Sequence, residues 1–187
     1  MSLGELLGRV VGILTRLEVP YMLTGSLAAA HYSLPRATQD VDLVIELGDG
    51  AVSGLVDALA AAGFYVSPEA AREAIQVRGS FNAIDAESGW KVDFIPRKER
   101  PFSRSEFQRR RLVPMLGSEV AVVSPEDLVL AKLEWASKGD SERQRRDAAR
   151  VMESLGAALD HAYVERWLDA LAVREEWERV RAGGPQR

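Results

Sequence analysis

From Asp40 to Glu46 the residues alternate, with Val44 the one apolar residue at the polar parity. Val41, Leu43 and Ile45 fall at one parity, and Asp40, Asp42, Val44 and Glu46 at the other. A period of two puts the first set on one face of a β-strand and the second on the opposite face. The segment is therefore committed to a half-buried strand with a core beneath it, and its polar face opens with two carboxylates. With 187 residues, 47% of them apolar, the chain is long enough to supply that core as one domain, or as one domain with a helical extension.

The surrounding pattern alternates helices and strands. Leu3, Leu6, Leu7, Val10, Val11, Leu14 and Leu17 repeat at helical spacing, with Glu5, Arg9 and Arg16 between them. They predict an amphipathic helix rather than a signal-peptide core or a membrane span. A short strand, Tyr21 to Leu23, runs into Thr24-Gly25-Ser26, and a helix from near Ser26 stops before Pro35, because the residue preceding proline is driven out of the helical region. A helix from Ala51 to Ala62, a strand from Phe64 to Val66, a hairpin (Ile75 to Asp85, the turn Glu87-Ser88-Gly89, then Trp90 to Ile95) and two short strands (Leu112 to Met115, Glu119 to Val123) follow. From Ser124 onward the pattern is helical. Ser124 is placed as an N-cap, Pro125 as the first helical residue, and Glu126 and Asp127 lie where carboxylates meet the positive end of the helix dipole. Further helices are expected over Ser141 to Leu155, Asp160 to Leu171 and Arg174 to Val180, with a frayed tail from Ala182.

The fold class expected is α+β, a mixed sheet flanked by helices, with residues 1–123 forming an α/β core and residues 124–187 a helical region packed on it. Charge excludes little. With 24 Lys and Arg against 28 Asp and Glu the net charge is −4, so the chain as a whole is not built to coat a polyanion. The absence of cysteine removes disulfides, thiolate metal sites and cysteine nucleophiles. A cytoplasmic location with no membrane attachment is the expectation.

Asp40 and Asp42 sit side by side on the strand face, and such a pair repels itself unless a cation joins it. Magnesium suits the donor set, since it takes carboxylate oxygens together with phosphate oxygens of a substrate. Asp93, the single acid between Trp90 and Ile95, is placed to supply a third carboxylate from a central strand on which Val92 and Phe94 face the core. An Asp-x-Asp at a strand start also serves as a solvated edge. Gly25 and Ser26 add a strand-to-helix junction whose backbone N–H groups suit a phosphate, although a Gly-Ser pair is also an ordinary helix start.

Taken in order, Gly25-Ser26-Leu27-Ala28-Ala29-Ala30-His31-Tyr32, then Pro35-Arg36-Ala37-Thr38-Gln39-Asp40-Val41-Asp42-Leu43, then Lys91-Val92-Asp93-Phe94, resembles the signature of the nucleotidyltransferase superfamily with its polymerase-beta-like fold. The Pro-Arg-x-Thr-x-Asp variant is similar to the AbiEii-like branch, which includes toxins of type IV toxin–antitoxin systems. In that branch a helical lysine and an Arg-Asp pair follow, matched here by Lys132 and Arg146-Asp147. The resemblance implies that Asp40, Asp42 and Asp93 hold Mg2+. It also implies a nucleoside triphosphate as co-substrate, contacted by Gly25, Ser26, Arg36, Thr38 and Lys132, with Asp40, Asp42, Asp93, Lys132 and Asp147 as the catalytic residues, Asp147 as a catalytic or orienting carboxylate. A nucleoside monophosphate would pass to a hydroxyl on RNA, protein or a small molecule such as an antibiotic, and a cognate antitoxin would be a further partner. A non-catalytic, antitoxin-like or partner-binding module on the same fold is the alternative.

Each supporting residue has a plainer reading. Lys132 can extend its ammonium to water past an apolar helix face, and Asp147 can pair at the surface with Arg145, Arg146 or Arg150. Arg36 can pair with Asp40. The basic run from Arg97 to Arg111 can hold a polyanionic acceptor or be a solvated face. Trp90, Trp135, Trp167 and Trp177 are expected to pack, and His31 to pack or hydrogen-bond rather than ligate a metal.

Overall fold

A computed structural model describes residues 1–33, 38 and 40–183. In chain order the elements are α1 (Leu3–Arg16), β1 (Tyr21–Thr24), α2 (Gly25–Tyr32), β2 (Asp40–Ile45), α3 (Val52–Ala61), β3 (Phe64–Val66), α4 (Pro68–Val77), β4 (Phe81–Asp85), β5 (Lys91–Pro96), α5 (Pro101–Gln108), β6 (Arg111–Met115), β7 (Ser118–Val122), α6 (Pro125–Gly139), α7 (Glu142–Leu155), α8 (His161–Leu168) and α9 (Arg174–Ala182). A 3-10 turn at Asp49–Ala51 leads into α3, and another at Gly156–Ala158 follows α7. The class is α+β, with one mixed seven-stranded sheet flanked by helices.

The chain forms two compact units, residues 1–27 with 37–122, and residues 28–36 with 123–187. The first holds the sheet, in the order β3-β4-β5-β2-β1-β7-β6. β2 runs parallel to β5 and antiparallel to β1, and β1 runs parallel to β7. The alternation of Asp40 to Ile45 gives the expected division: Val41, Leu43 and Ile45 are fully buried, as are Val92 and Phe94 next door on β5. Around the sheet, α3 packs on β3, α4 on β4 and β5, and α1 on β7 and α3.

Local chemistry fixes the helix starts. Ser2 caps α1 in a reciprocal box with Glu5, and Ser124 caps α6 by accepting from the Asp127 N–H. One expected element is corrected here. Ile75 to Val77 do not begin a hairpin strand but end α4, which Ser67 caps from the Ala70 N–H with Pro68 in the first turn. Arg78, at φ 52°, closes that helix in the left-handed region, and the strand starts only at Phe81.

The second unit packs α6 against α7, α8 and α9, and α7 against α9. Its cap network is buried. Ser124 Oγ donates to Asp127 Oδ2 at 2.6 Å, and the Tyr163 hydroxyl donates to Asp127 Oδ1 at 2.6 Å, so both oxygens of a fully buried carboxylate are engaged. Among the described residues, no helix is long and apolar enough to cross a membrane.

Candidate active site

Parallel pairing of β2 with β5 sets Asp42 directly opposite Asp93, and Asp40 opposite Lys91. Register partners on neighbouring strands share a face and lie about 5 Å apart. Asp40, Asp42, Lys91 and Asp93 therefore occupy one corner of the sheet face opposite Val41, Leu43, Val92 and Phe94. Asn82, opposite Asp93 on β4, extends the row, and Thr24, opposite Asp42 on β1, bounds it on the other side.

Gly25 follows Thr24 and turns the chain from β1 into α2. Its φ of 71° lies in the region that side chains disfavour, and an added Cβ would lie 2.6 Å from Asp42 Cγ and 2.9 Å from Asp42 Cβ. Glycine is required there twice over, by conformation and by the close approach of the Asp42 carboxylate. Ser26 is the second residue of α2, so the helix start lies beside Asp42. Thr38 Oγ1 is 3.4 Å from both the amide N and the carbonyl O of Asp40, which ties it to the start of β2. Arg36 lies outside the described residues.

Lys91 is a component that the sequence reading passed over. Its ammonium is 2.9 Å from Asp93 Oδ2 and 3.8 Å from Asp40 Oδ1. The bond to Asp93, with the charges of Asp93, Asp40 and Asp42 behind it, outweighs burial and raises the Lys91 pKa above its ordinary value. Only the pairing of β2 with β5 reveals this role, because Lys91 meets Asp40 across strands fifty residues apart in sequence.

The donor set suits magnesium: hard carboxylate oxygens from two adjacent strands, at a spot already attractive to a positive charge. Among the described residues, no group of three or more His, Cys, Asp or Glu side chains is drawn together tightly enough to hold an ion. Asp93 and Asp40 are turned toward Lys91 instead.

Lys132 and Asp147 lie in the second unit. Lys132 Nζ is 3.2 Å from Asp147 Oδ2, with side-chain exposures of only 5% and 4%. This corrects both plainer expectations. The lysine does not reach water, and the aspartate is not part of a surface pair with its neighbouring arginines. Arg145 instead binds Glu176 at 2.6 Å, with Asp140 and Glu142 completing its shell. Trp135 is likewise not a packing residue, being 61% exposed, while Trp177 is buried.

In the basic run, Arg97 bonds Glu46 at 2.6 Å and Glu99 at 3.3 Å, Arg104 bonds Glu99, Arg100 bonds Ser103, and Arg110 stacks over the Phe107 ring. Two of its arginines, Arg97 and Arg104, are thus ion-paired inside the chain.

Comparison with solved structures gives a consistent result. The antibiotic-resistance factor ANT(2'')-Ia aligns over 94% of this chain and 96% of its own, with a TM-score of 0.61 and 15% identity. The chain has the fold of nucleotidyltransferases. The lincosamide antibiotic adenylyltransferase LnuA aligns over 78% of this chain and 93% of its own (TM-score 0.53, 11% identity). An antigenic nucleotidyltransferase-like protein from Paracoccidioides brasiliensis aligns over 97% and 93% (TM-score 0.54, 16% identity). No family model matches the sequence, and comparison with curated proteins gives no match.

Proposed function

We propose that this chain is an enzyme, a magnesium-dependent nucleotidyltransferase that moves a nucleoside monophosphate from a nucleoside triphosphate to an acceptor hydroxyl. The observation that carries the reading is the register of β2 and β5, which sets Asp42 opposite Asp93 and brings Asp40 onto the same face beside the Gly25 turn.

Asp40, Asp42 and Asp93 would hold the metal, which when bound neutralises phosphate charge and lowers the pKa of an attacking hydroxyl. The amides at the start of α2 would offer hydrogen bonds to the terminal phosphates, and the absence of a Gly25 side chain leaves room for the Asp42 carboxylate beside them. Asp93, on the neighbouring strand, would bind the metal that activates the acceptor hydroxyl toward a nucleotide held by Asp40 and Asp42.

A small polar molecule is the acceptor favoured here. ANT(2'')-Ia, which has also been solved with adenylyl-2''-tobramycin, and lincomycin-bound LnuA match this chain over 93–98% of their own lengths. The ion pairs of Arg97 and Arg104 leave that part of the basic run less to offer a polyanionic acceptor. A second reading, a toxin-like enzyme with an RNA or protein acceptor and a cognate antitoxin, draws on the pairing of Lys132 with Asp147, the two helical residues of the AbiEii-like resemblance.

One assay separates these. The protein is incubated with Mg2+ and each α-labelled nucleoside triphosphate, against aminoglycosides and lincosamides in one arm and cell RNA and protein in the other. Label is expected on a small molecule in the wild type and lost by at least a hundredfold in Asp42→Asn, a loss typical of removing a group that stabilises charge in the transition state. Label on RNA or protein alone selects the second reading. Equal labelling by the variant overturns the catalytic assignment.

A further inference from the structure

Lys91 occupies the same sheet corner as the three carboxylates and has no place in the transfer described above. It stands two residues before Asp93 on β5, hence on the same face, and its register partner on β2 is Asp40. Its ammonium contacts Asp93 at 2.9 Å and approaches Asp40 to 3.8 Å. An ion bound through oxygens of Asp40 and Asp93 at roughly 2.0–2.1 Å would therefore fall within a few ångströms of a lysine nitrogen. Two cations at that separation repel, and each carboxylate oxygen given to Lys91 is withdrawn from the metal.

The side chain is able to leave. Lys91 is 39% exposed, Asp40 54% and Asp93 24%, so both contacts are open to water, where an ion pair contributes little, the one to Asp93 being the tighter of the two. The four-carbon stem can move the charge outward without shifting β5.

We propose that Lys91 is a tethered counter-ion that competes with the divalent cation for Asp40 and Asp93, so that metal loading requires its ammonium to withdraw. This rests on the metal-site reading of the three aspartates. Lys91 holds the carboxylates in place against their mutual repulsion, and it weakens the resting affinity for metal until a negatively charged triphosphate adds its own oxygens. The site then favours the metal–nucleotide pair over the free ion.

The test is calorimetric titration of the full chain with Mg2+ alone and, separately, thermal unfolding with and without Mg2+. Lys91→Met is expected to bind Mg2+ about tenfold more tightly than wild type, in keeping with removal of one nearby positive charge and one exposed ion pair. It is also expected to unfold at lower temperature without the ion and to gain more from adding it. Lys91→Arg, which keeps the charge, should stay within about threefold of wild type. Should Lys91→Met fail to give a folded circular dichroism spectrum, Lys91→Gln carries the same expectation. Equal or weaker Mg2+ binding by the charge-removing variant, with wild type binding normally, overturns the role of Lys91 and leaves the metal site standing. Wild type binding no better than Asp42→Asn overturns the metal site, and this inference with it.

Discussion

Gly25 shows how far one residue can be constrained by a neighbour on another strand. Its positive φ and the contact a Cβ would make with Asp42 are separate penalties, so Gly25→Ala is expected to lower stability by about 1–3 kcal/mol in chemical denaturation. It should also weaken Mg2+ binding by turning the Asp42 carboxylate aside. Adding Asp42→Ala removes the overlap with the carboxylate but neither the 2.9 Å contact with the Asp42 Cβ nor the backbone strain, so the double variant should recover only part of the lost stability. At this scale the sequence was informative about type and silent about register. Asp40 and Asp42 were legible as a pair because two residues of one strand share a face. Lys91 was visible only as a member of a motif, since its meeting with Asp40 depends on a parallel pairing that no local pattern encodes. Asp85 was missed for a related reason. It lies on the buried side of β4, where Ser88 and Arg9, the latter seventy-six residues distant, satisfy its carboxylate.

Among the elements, strands were read more easily than helices built on alanine. β2 and β5 announce themselves by alternating large apolar side chains. By contrast, the buried face of α4 is Ala71, Ala74 and Ile75, too little apolar surface to show a helical period, and its real signal was the Ser67-Pro68-Glu69 cap. The Lys132–Asp147 pair belongs to this scale as well, because it couples α6 to α7 in a dry setting. Breaking it by Lys132→Met removes the ammonium 3.2 Å from a buried carboxylate and should destabilise the protein by about 3–5 kcal/mol. The double variant Lys132→Met with Asp147→Leu should lie much nearer wild type in the same denaturation series. If that double variant is stable yet transfers no nucleotide in the labelling assay, the pair serves the reaction and not only the packing.

Across the molecule, acid sensitivity follows from carboxylates held in their charged form. Burial alone would raise the Asp85 carboxyl, but the bonds from Ser88 and the Arg9 guanidinium outweigh it and leave its pKa lowered. In the second unit, the bond from Arg145 lowers Glu176 against the opposing effect of burial. A lowered folded pKa means that the unfolded chain binds the proton first as pH falls. The stabilisation from both groups is therefore fully present above the ordinary carboxylate range of about pH 4, and is lost as pH drops through the folded values. Denaturant midpoints measured from pH 6 down to pH 2 should fall in that window, and Asp85→Asn, less stable at neutrality, should show a flatter fall.

The pairing of β2 with β5 has one more consequence. Asp42 and Asp93 are fifty-one positions apart along the chain and become neighbours only when two parallel strands, separated by α3, β3, α4 and β4, find each other. Closing a loop of that length is among the slower events in folding, because its entropy is lost before any strand contact compensates. On the proposed function, competence to gather a divalent ion would be acquired late, together with the centre of the sheet. A nascent chain that ends before β5 carries Asp40 and Asp42 but not Asp93, and would lack the third carboxylate proposed to close around a cation.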